Sequence, residues 1–187
     1  MPAPDDRELV RDYLRGDQKA FEALYGRYRE SLFRFLVFTL GNEVMAEDIF
    51  QKAFMKFFEK AAEFRIVGGG NFKSWIFKVA VNLCRDEFRR KERKLRVDNF
   101  TLETAPDSRL AEPGSSGASD KVELIVRSAV EELPVRFRQI VGFRYYSDLT
   151  FEEIAKILGL PPGTVKSRLN TALRRLGSKL KDVHDVV

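Results

Sequence analysis

The chain has 187 residues, one third of them charged, and a formal net charge of +5, so it has room for one domain or two small ones. The positive charge suits a polyanionic partner, either nucleic acid or an anionic membrane surface. No apolar run approaches the roughly 18 residues of a transmembrane span, and the N-terminus is acidic and polar where a signal peptide would be basic and then apolar, which predicts a cytoplasmic protein. Cys84 and His184 are the only residues of their kinds, so we expect no disulfide and no structural zinc site within the chain. We also expect no cofactor.

The first three predicted helices cover residues 5–14, 17–40 and 43–64. Gly16 separates the first two, and Asp17 is placed as the N-cap of the second. Apolar residues recur at spacings of three and four in the second helix, which predicts a stripe that faces a core. The third helix has an apolar side and a mixed charged side. From spacing alone, the charged side could be a solvated surface or a docking face for a large partner.

Residues 65–72, RIVGGGNF, interrupt the helices, because three consecutive glycines have poor helical propensity. This loop is suited to wrapping an unstacked base, and equally to a plain connector. The next predicted helix, 73–94, carries Trp75, Phe77 and Asn82 among lysines and arginines. Aromatic rings among cations suit single-stranded nucleic acid, although aromatic residues in a helix are more commonly part of a core.

A change of composition then predicts the domain organisation. The stretch between residues 95 and 119 is poor in apolar residues and rich in Ser, Gly, Pro and acids, which is typical of a linker. Two more helices are predicted over 120–132 and 134–146. The sequence therefore predicts an all-α chain of two small helical domains, 5–95 and 120–182, joined by a flexible linker at 96–119.

The last two elements have the pattern of a DNA-binding helix-turn-helix. Thr150 and Glu153 form a T-x-x-E capping box that opens a short helix over 151–158, and a second helix starts near Pro162. The second helix has one apolar side and one basic side without acids. Side chains on its polar side are placed to contact bases or phosphates: Thr164, Lys166, Ser167, Arg168, Asn170 and Arg174. The alternative is an ordinary solvated helix face.

Three stretches, in this order and at these separations, resemble the extracytoplasmic-function (ECF) group of bacterial sigma-70 factors. The sequence AEDIFQKAFMKFFEKAAEF resembles the region 2.2 helix of that family, and NFKSWIFKVAVNLCRDEFRRKER resembles the segment that melts and reads the −10 element. The sequence LTFEEIAKILGLPPGTVKSRL resembles the region 4 helix-turn-helix that reads the −35 element. Each motif is moderately specific, and the three together are highly specific.

The resemblance implies a transcription initiation factor without catalytic activity or a small-molecule substrate. It implies that Asp48, Gln51 and Phe54 dock on the coiled coil of the RNA polymerase β′ subunit, and that the second domain meets the β flap. It implies a set of residues that read and melt the −10 element: Phe64, Arg65, Asn71, Phe72, Trp75, Lys78 and Asn82. It assigns the −35 contacts to Lys166, Ser167 and Asn170. It also implies inhibition by an anti-sigma factor, which in this family is often membrane-anchored.

The sequence also admits other classes of protein. A free-standing helix-turn-helix regulator would bind its operator without polymerase, and the motifs of the first domain have no use in it. A recombinase or nuclease would need a Ser or Tyr nucleophile or clustered carboxylates. A pure protein-interaction adaptor would leave the acid-free basic helix unexplained.

Overall fold

The computed structural model describes residues 4–66, 71–98 and 118–184, and these ranges contain helices and no strand, which confirms the all-α class. The helices in chain order are α1 (Asp6–Leu14), α2 (Gln18–Leu40), α3 (Glu43–Ile66), α4 (Phe72–Asp98), α5 (Ala118–Glu131), α6 (Val135–Tyr146), α7 (Phe151–Leu158) and α8 (Pro162–His184).

Helices α1–α4 form the first domain, and local interactions at the helix ends explain where they begin and end. The Asp5 carboxylate accepts a hydrogen bond from the Glu8 backbone N–H at 2.8 Å, and the Asp5 N–H donates to the Glu8 carboxylate at 3.2 Å, so α1 opens with a capping box. Asp17 caps α2, as predicted. Gly41 ends α2 in the left-handed conformation with φ 65°, which glycine adopts without steric cost.

Helices α5–α8 form the second domain and contain the predicted helix-turn-helix. The Thr150 N–H donates to the Glu153 carboxylate at 2.8 Å, and the Glu153 N–H donates to the Thr150 hydroxyl at 3.2 Å, which confirms the capping box at the start of α7. Gly159 ends α7 with φ 67°, and α8 begins at Pro162. Val165, fully buried, holds α8 in the domain core.

The two domains are packed against each other, α6 on α2 and α7 on α4. The fully buried ring of Phe143 in α6 lies 4.6 Å from the ring of Phe35 and 5.8 Å from that of Phe77, measured between centroids. At Gly142 the two helices approach so closely that an added Cβ would lie 3.1 Å from the Phe35 ring. The sequence predicts domains that share only a tether, whereas in the structure they share a continuous core.

The predicted linker bounds, 96–119, differ from the observed helix ends. Helix α4 continues to Asp98 and α5 begins at Ala118, so 99–117 is the part of that stretch outside the described residues. Beyond the predicted end at residue 94, the helix continues through Leu95 and Arg96, which are strong helix formers, to Val97 and Asp98. Within the described ranges, no helix combines the length and apolarity that a membrane crossing requires, and no three His, Cys, Asp or Glu residues are grouped as ligands for a metal ion.

Candidate nucleic-acid interface

The outer side of α8 brings most of the predicted −35 residues together. Buried Val165, Leu169 and Ala172 face the domain core, so the opposite side of the helix is turned outward. The predicted residues that are exposed there are Lys166, Ser167, Asn170 and Arg174, while Thr164 and Arg168 are half-buried. Ser167, Asn170 and Arg174 line one shallow depression, so the structure presents them as a single surface.

Two of these side chains already have local partners. The Lys166 ammonium lies 5.4 Å from the centroid of the Phe151 ring, a cation–π contact that holds the amine near the start of α7. The Ser167 hydroxyl donates to the Thr164 carbonyl at 3.0 Å. Its oxygen therefore remains an acceptor, while its proton is used within the helix.

The outward side of α4 carries a row of exposed polar and cationic residues. Asn71, predicted to hold a base, also has a structural role: its side-chain oxygen accepts from the Lys73 N–H at 2.9 Å and caps α4. Further along, exposed side chains recur at spacings of four, three and four, which places them on one side of a helix. We call them the α4 stripe: Lys78, Asn82, Arg85 and Arg89. The two arginines extend the predicted −10 set.

The aromatic residues near the start of α4 pack mainly inward. Phe72 is fully buried, with its ring centroid 5.5 Å from that of Tyr28 and 5.1 Å from that of Phe57, so in this structure it is a core residue that does not reach a bound base. Trp75 is half-buried, 5.9 Å from the Phe57 ring. The side chains of Phe64 and Arg65, like residues 67–70, lie outside the described part.

A cleft of 760 Å³ lies between the α3–α4 side of the first domain and α7 of the second. Its first-domain walls include Asn71, Trp75 and Asn82. Across the cleft, the Glu153 carboxylate lies 3.5 Å from both the Asn71 amide nitrogen and the Ser74 hydroxyl. The cleft also collects amines from both domains: Lys56, Lys60, Lys78 and Lys156.

Electrostatics favour an ionised Glu153 at this contact. Partial burial alone would raise the pKa of its carboxyl, but hydrogen bonds from Thr150 and Asn71 and the charge of Lys73 outweigh burial and lower that pKa below its ordinary value. The Lys73 ammonium is itself 3.7 Å from the Asp148 carboxylate. Two acids of the second domain therefore face polar and cationic groups of the first.

The outer side of α3 combines the predicted docking residues with apolar side chains that the sequence interpretation missed. Asp48 and Gln51 are exposed. Phe54 is only 4% exposed and packs 5.0 Å from the rings of both Tyr25 and Phe50, so it supports this side from beneath. The residues missed are exposed and share the same side of α3: Val44, Met55 and Phe58. Val44 lies four residues before Asp48, Met55 four residues after Gln51, and Phe58 three residues after Met55; this spacing is the signal that could have identified them.

These surfaces, a basic helix-turn-helix and a cationic stripe on a second helical domain, are typical of a DNA-binding protein with two separate nucleic-acid contacts. Family models agree: the Sigma-70 region 2 model matches residues 24–94 and the Sigma-70 region 4 model matches residues 123–176. The two together cover about two thirds of the chain. The chain therefore belongs to the sigma-70 family.

Named sigma factors align with nearly the whole chain. The chain is 29% identical over 184 residues to the ECF RNA polymerase sigma-E factor of Escherichia coli, covering 94% of each chain. It is 26% identical to the ECF RNA polymerase sigma factor SigW of Bacillus subtilis, covering 95% of this chain and 97% of the relative. Among solved structures, it resembles the sigma factor RpoE of Bartonella quintana in complex with the anti-sigma factor NepR, with 25% identity, a TM-score of 0.69, and coverage of 87% and 98%.

Proposed function

We propose that this chain is a sigma factor that binds core RNA polymerase and directs it to promoters with defined −35 and −10 elements. The observation that carries the proposal is the presence, in one chain and in the order of the family, of an exposed basic helix-turn-helix, the α4 stripe and an exposed apolar patch on α3. The chain would act in the cytoplasm, where the polymerase acts, and would itself catalyse no reaction.

Core polymerase is proposed to bind the outer side of α3. Exposed apolar side chains surrounded by polar ones are typical of protein interaction sites, and Val44 and Met55 are 80% and 58% exposed beside Asp48 and Gln51. Long apolar side chains provide the contact area in such an interface, while the charged ones fix its register. Phe54 would maintain the shape of the surface from below. The second domain would bind the β flap.

The −35 element is proposed to be read by the first half of α8 in the major groove. Lys166 can donate to guanine, and the amide of Asn170 can form two hydrogen bonds with adenine. Arg168 and Arg174 would neutralise phosphates, which adds affinity but little sequence information. Thr164 and Ser167 would contribute at the groove edge.

The −10 element is proposed to be captured as single-stranded DNA along α4. The cations of the α4 stripe would follow the phosphates, and Asn82 and Trp75 would meet an extruded base, with Asn71 beside them. Extruding a base costs on the order of a few kcal/mol. Because the contacts that offset this cost form only when the base has left the stack, promoter opening would be coupled to sequence recognition.

An anti-sigma factor is proposed as the negative regulator, since a sigma factor with the same fold was solved with an anti-sigma factor bound. By family expectation that partner is often anchored in the membrane, which would connect gene expression to an external signal. Such a partner would need to cover α3 or the DNA-binding surfaces to be effective.

The test is transcription in vitro with purified core polymerase and a library of randomised promoters, with binding of the protein alone measured in parallel. Promoter-selective transcripts that require both components would establish the function and define both elements. Tight sequence-specific binding by the protein alone, with no effect on initiation, would instead identify a free-standing helix-turn-helix regulator.

A further inference from the structure

An apolar side chain interrupts the polar surface of α8. Leu173 is 39% exposed, and among the described side chains of this helix it is the only large apolar one that is exposed. Leu169 is buried, and Leu176 and Leu180 are half-buried, so the other leucines of α8 belong to its inner side. Leu173 is therefore an apolar group that the helix presents to whatever binds its outer side.

Leu173 shares its surroundings with the proposed −35 contacts. The shallow depression on α8 is lined by Ser167, Asn170, Thr171, Leu173 and Arg174. Residues three positions apart are neighbours on the surface of a helix, so Leu173 lies beside Asn170. A base pair that Asn170 contacts is therefore flanked by positions within reach of Leu173.

Hydrogen bonds within α8 use the hydroxyl protons of this depression. The Ser167 hydroxyl donates to the Thr164 carbonyl at 3.0 Å, and the Thr171 hydroxyl donates to the Ser167 carbonyl at 2.9 Å. Each hydroxyl has one proton, so neither is left to donate to a base. Among the residues that line the depression, the remaining side-chain donors are the Asn170 amide and the Arg174 guanidinium.

The major groove of DNA offers one group that an apolar side chain can read. Guanine, adenine and cytosine present hydrogen-bond donors and acceptors there, whereas thymine also presents a methyl group on C5. Packing a leucine against that methyl group removes apolar surface of both from water. The chemistry of Leu173 therefore matches a thymine and no other base.

The spacing along α8 fits the reading of neighbouring base pairs. A helix rises about 1.5 Å per residue, so Leu173 lies about 4.5 Å beyond Asn170 and about 10 Å beyond Lys166 along the axis. Successive base pairs are about 3.4 Å apart. The three side chains together therefore span about three base-pair steps, and Leu173 reaches a pair adjacent to that of Asn170.

We propose that Leu173 is a specificity-determining residue for the −35 element, which reads the methyl group of a thymine next to the base pair that Asn170 contacts. The inference rests on the proposed function, because it identifies a further contact of the same site. It adds an apolar contact to residues that were assigned to this element for their hydrogen bonds and charge.

The test removes the methyl group from the DNA. A −35 duplex from a promoter selected in the transcription assay is prepared with each thymine replaced in turn by deoxyuridine, which lacks the methyl group and keeps the hydrogen-bonding groups of thymine. Binding of the full-length protein is measured by fluorescence anisotropy, and transcription with core polymerase is measured in parallel. At one position, wild type should bind the deoxyuridine duplex about fourfold more weakly, as expected for one buried methyl group.

Variants then assign the discrimination to Leu173. Leu173→Ala should bind the thymine and deoxyuridine duplexes equally, whereas Leu173→Met, which keeps a long apolar side chain, should retain most of the fourfold difference. Val126→Ala is the matched control, since Val126 is an exposed apolar residue on α5, and it should leave the difference unchanged. Alanine and methionine are good helix formers, so circular dichroism should show little change in melting temperature.

Three results would overturn the inference. Wild-type binding could be insensitive to deoxyuridine at every thymine, or Leu173→Ala could lose affinity equally for both duplexes and keep the fourfold difference between them. In the third, Leu173→Ala would leave DNA binding unchanged and weaken binding to core polymerase, which would make Leu173 a polymerase contact. Failure of the proposed function would be recognised separately, because the library would then yield no polymerase-dependent promoter, and the inference would fall with it.

Discussion

Gly142 is the position at which a single methyl group should act on the domain interface. A Cβ there would lie 3.1 Å from Cδ2 of Phe35 and 3.3 Å from Cδ1 of Phe38, closer than the ~3.5–4.0 Å at which carbon atoms attract best. Phe35 cannot easily yield, because it is fully buried between Phe77 and Phe143. Gly142→Ala should therefore push α6 away from α2.

The magnitude follows from two opposing effects. Inserting a methyl group into a tight core costs about 1–3 kcal/mol, whereas replacing a glycine in a helix interior by alanine stabilises the helix by about 1 kcal/mol. Helix α6 belongs to the second domain, so the stabilisation of the helix by alanine is the same whether the two domains are packed together or separated. The packing cost applies only while α6 is packed on α2, which we call the closed arrangement. The equilibrium between closed and separated domains should therefore shift toward separation by about 5- to 150-fold.

Small-angle scattering of the full-length chain measures the shift as an increase in the radius of gyration above the closed value of about 16 Å. Gly26→Ala is the matched control: it lies within α2, and an added Cβ meets no described atom within 4 Å. Alanine should stabilise the helix in both variants, and only Gly142→Ala should increase the radius of gyration. An unchanged radius together with a thermal stabilisation equal to that of Gly26→Ala would refute the reasoning, because it would mean that the interface accommodates the methyl group.

Three further outcomes are expected. Met55→Glu should weaken binding to core polymerase at least about tenfold, because it places a charge in the docking patch, and it should change the melting temperature little. Val126 is an exposed apolar residue on α5, and Val126→Glu should leave polymerase binding intact. Equal effects of the two substitutions would show that the patch is not part of the docking surface. Lys166→Ala should relax discrimination at one −35 base by about 1–3 kcal/mol, and an unchanged base preference in a promoter library would exclude Lys166 from base readout. Burial raises the pKa of the Cys84 thiol to about 12, so a thiol reagent at pH 8 should label native protein at least about a hundredfold more slowly than denatured protein; rapid labelling would show that the first domain opens readily.

Features that depend on nearby residues could be predicted from the sequence. The capping box of Thr150 and Glu153, the cap at Asp17 and the restart of a helix at Pro162 all agree with the structure, because each involves groups only a few residues apart. The sequence could not indicate that the Glu153 carboxylate also reaches Asn71, which is 82 residues away. That contact depends on how the domains pack.

The domain packing itself had a signal in α2 that the periodicity analysis did not use. The predicted stripe omits Phe35 and Phe38 and consists of Phe21, Leu24, Tyr25, Tyr28, Leu32, Phe33, Leu36 and Val37. The segment SLFRFLVFTL is nevertheless apolar on nearly all sides, and a helix that is apolar all round is buried all round. One side of this segment packs in the first domain, and Phe35 and Phe38 meet α6. The composition of the linker gives no indication of this packing, because it does not determine whether the two domains that it joins contact each other.

Motif position likewise could not separate surface residues from those beneath them. Phe54 and Phe72 lie within the family motifs but are 4% and 0% exposed. In a helix, a docking residue and the core residue that supports it can be adjacent positions of one motif. Burial is decided by what packs against the helix, and in the case of Phe72 this is Tyr28, Phe57 and Trp75.

A closed arrangement would link every partner of the chain through one equilibrium. If closure is worth about 3 kcal/mol, roughly one molecule in 150 is open, and a polymerase that binds the open form has its apparent affinity reduced by the same factor. An inhibitor that binds the closed form already finds nearly every molecule in that form. A further stabilisation of closure would therefore raise its apparent affinity very little. Weakening closure should favour the polymerase. Gly142→Ala should raise the apparent affinity for polymerase by the same factor by which it increases the fraction of open molecules. The inhibitor should lose affinity only once the open form is a substantial fraction. The interface at Gly142 between α6 and α2, which is part neither of the α3 docking side nor of the outer side of α8, would in this way set how readily the chain passes from inhibitor to polymerase.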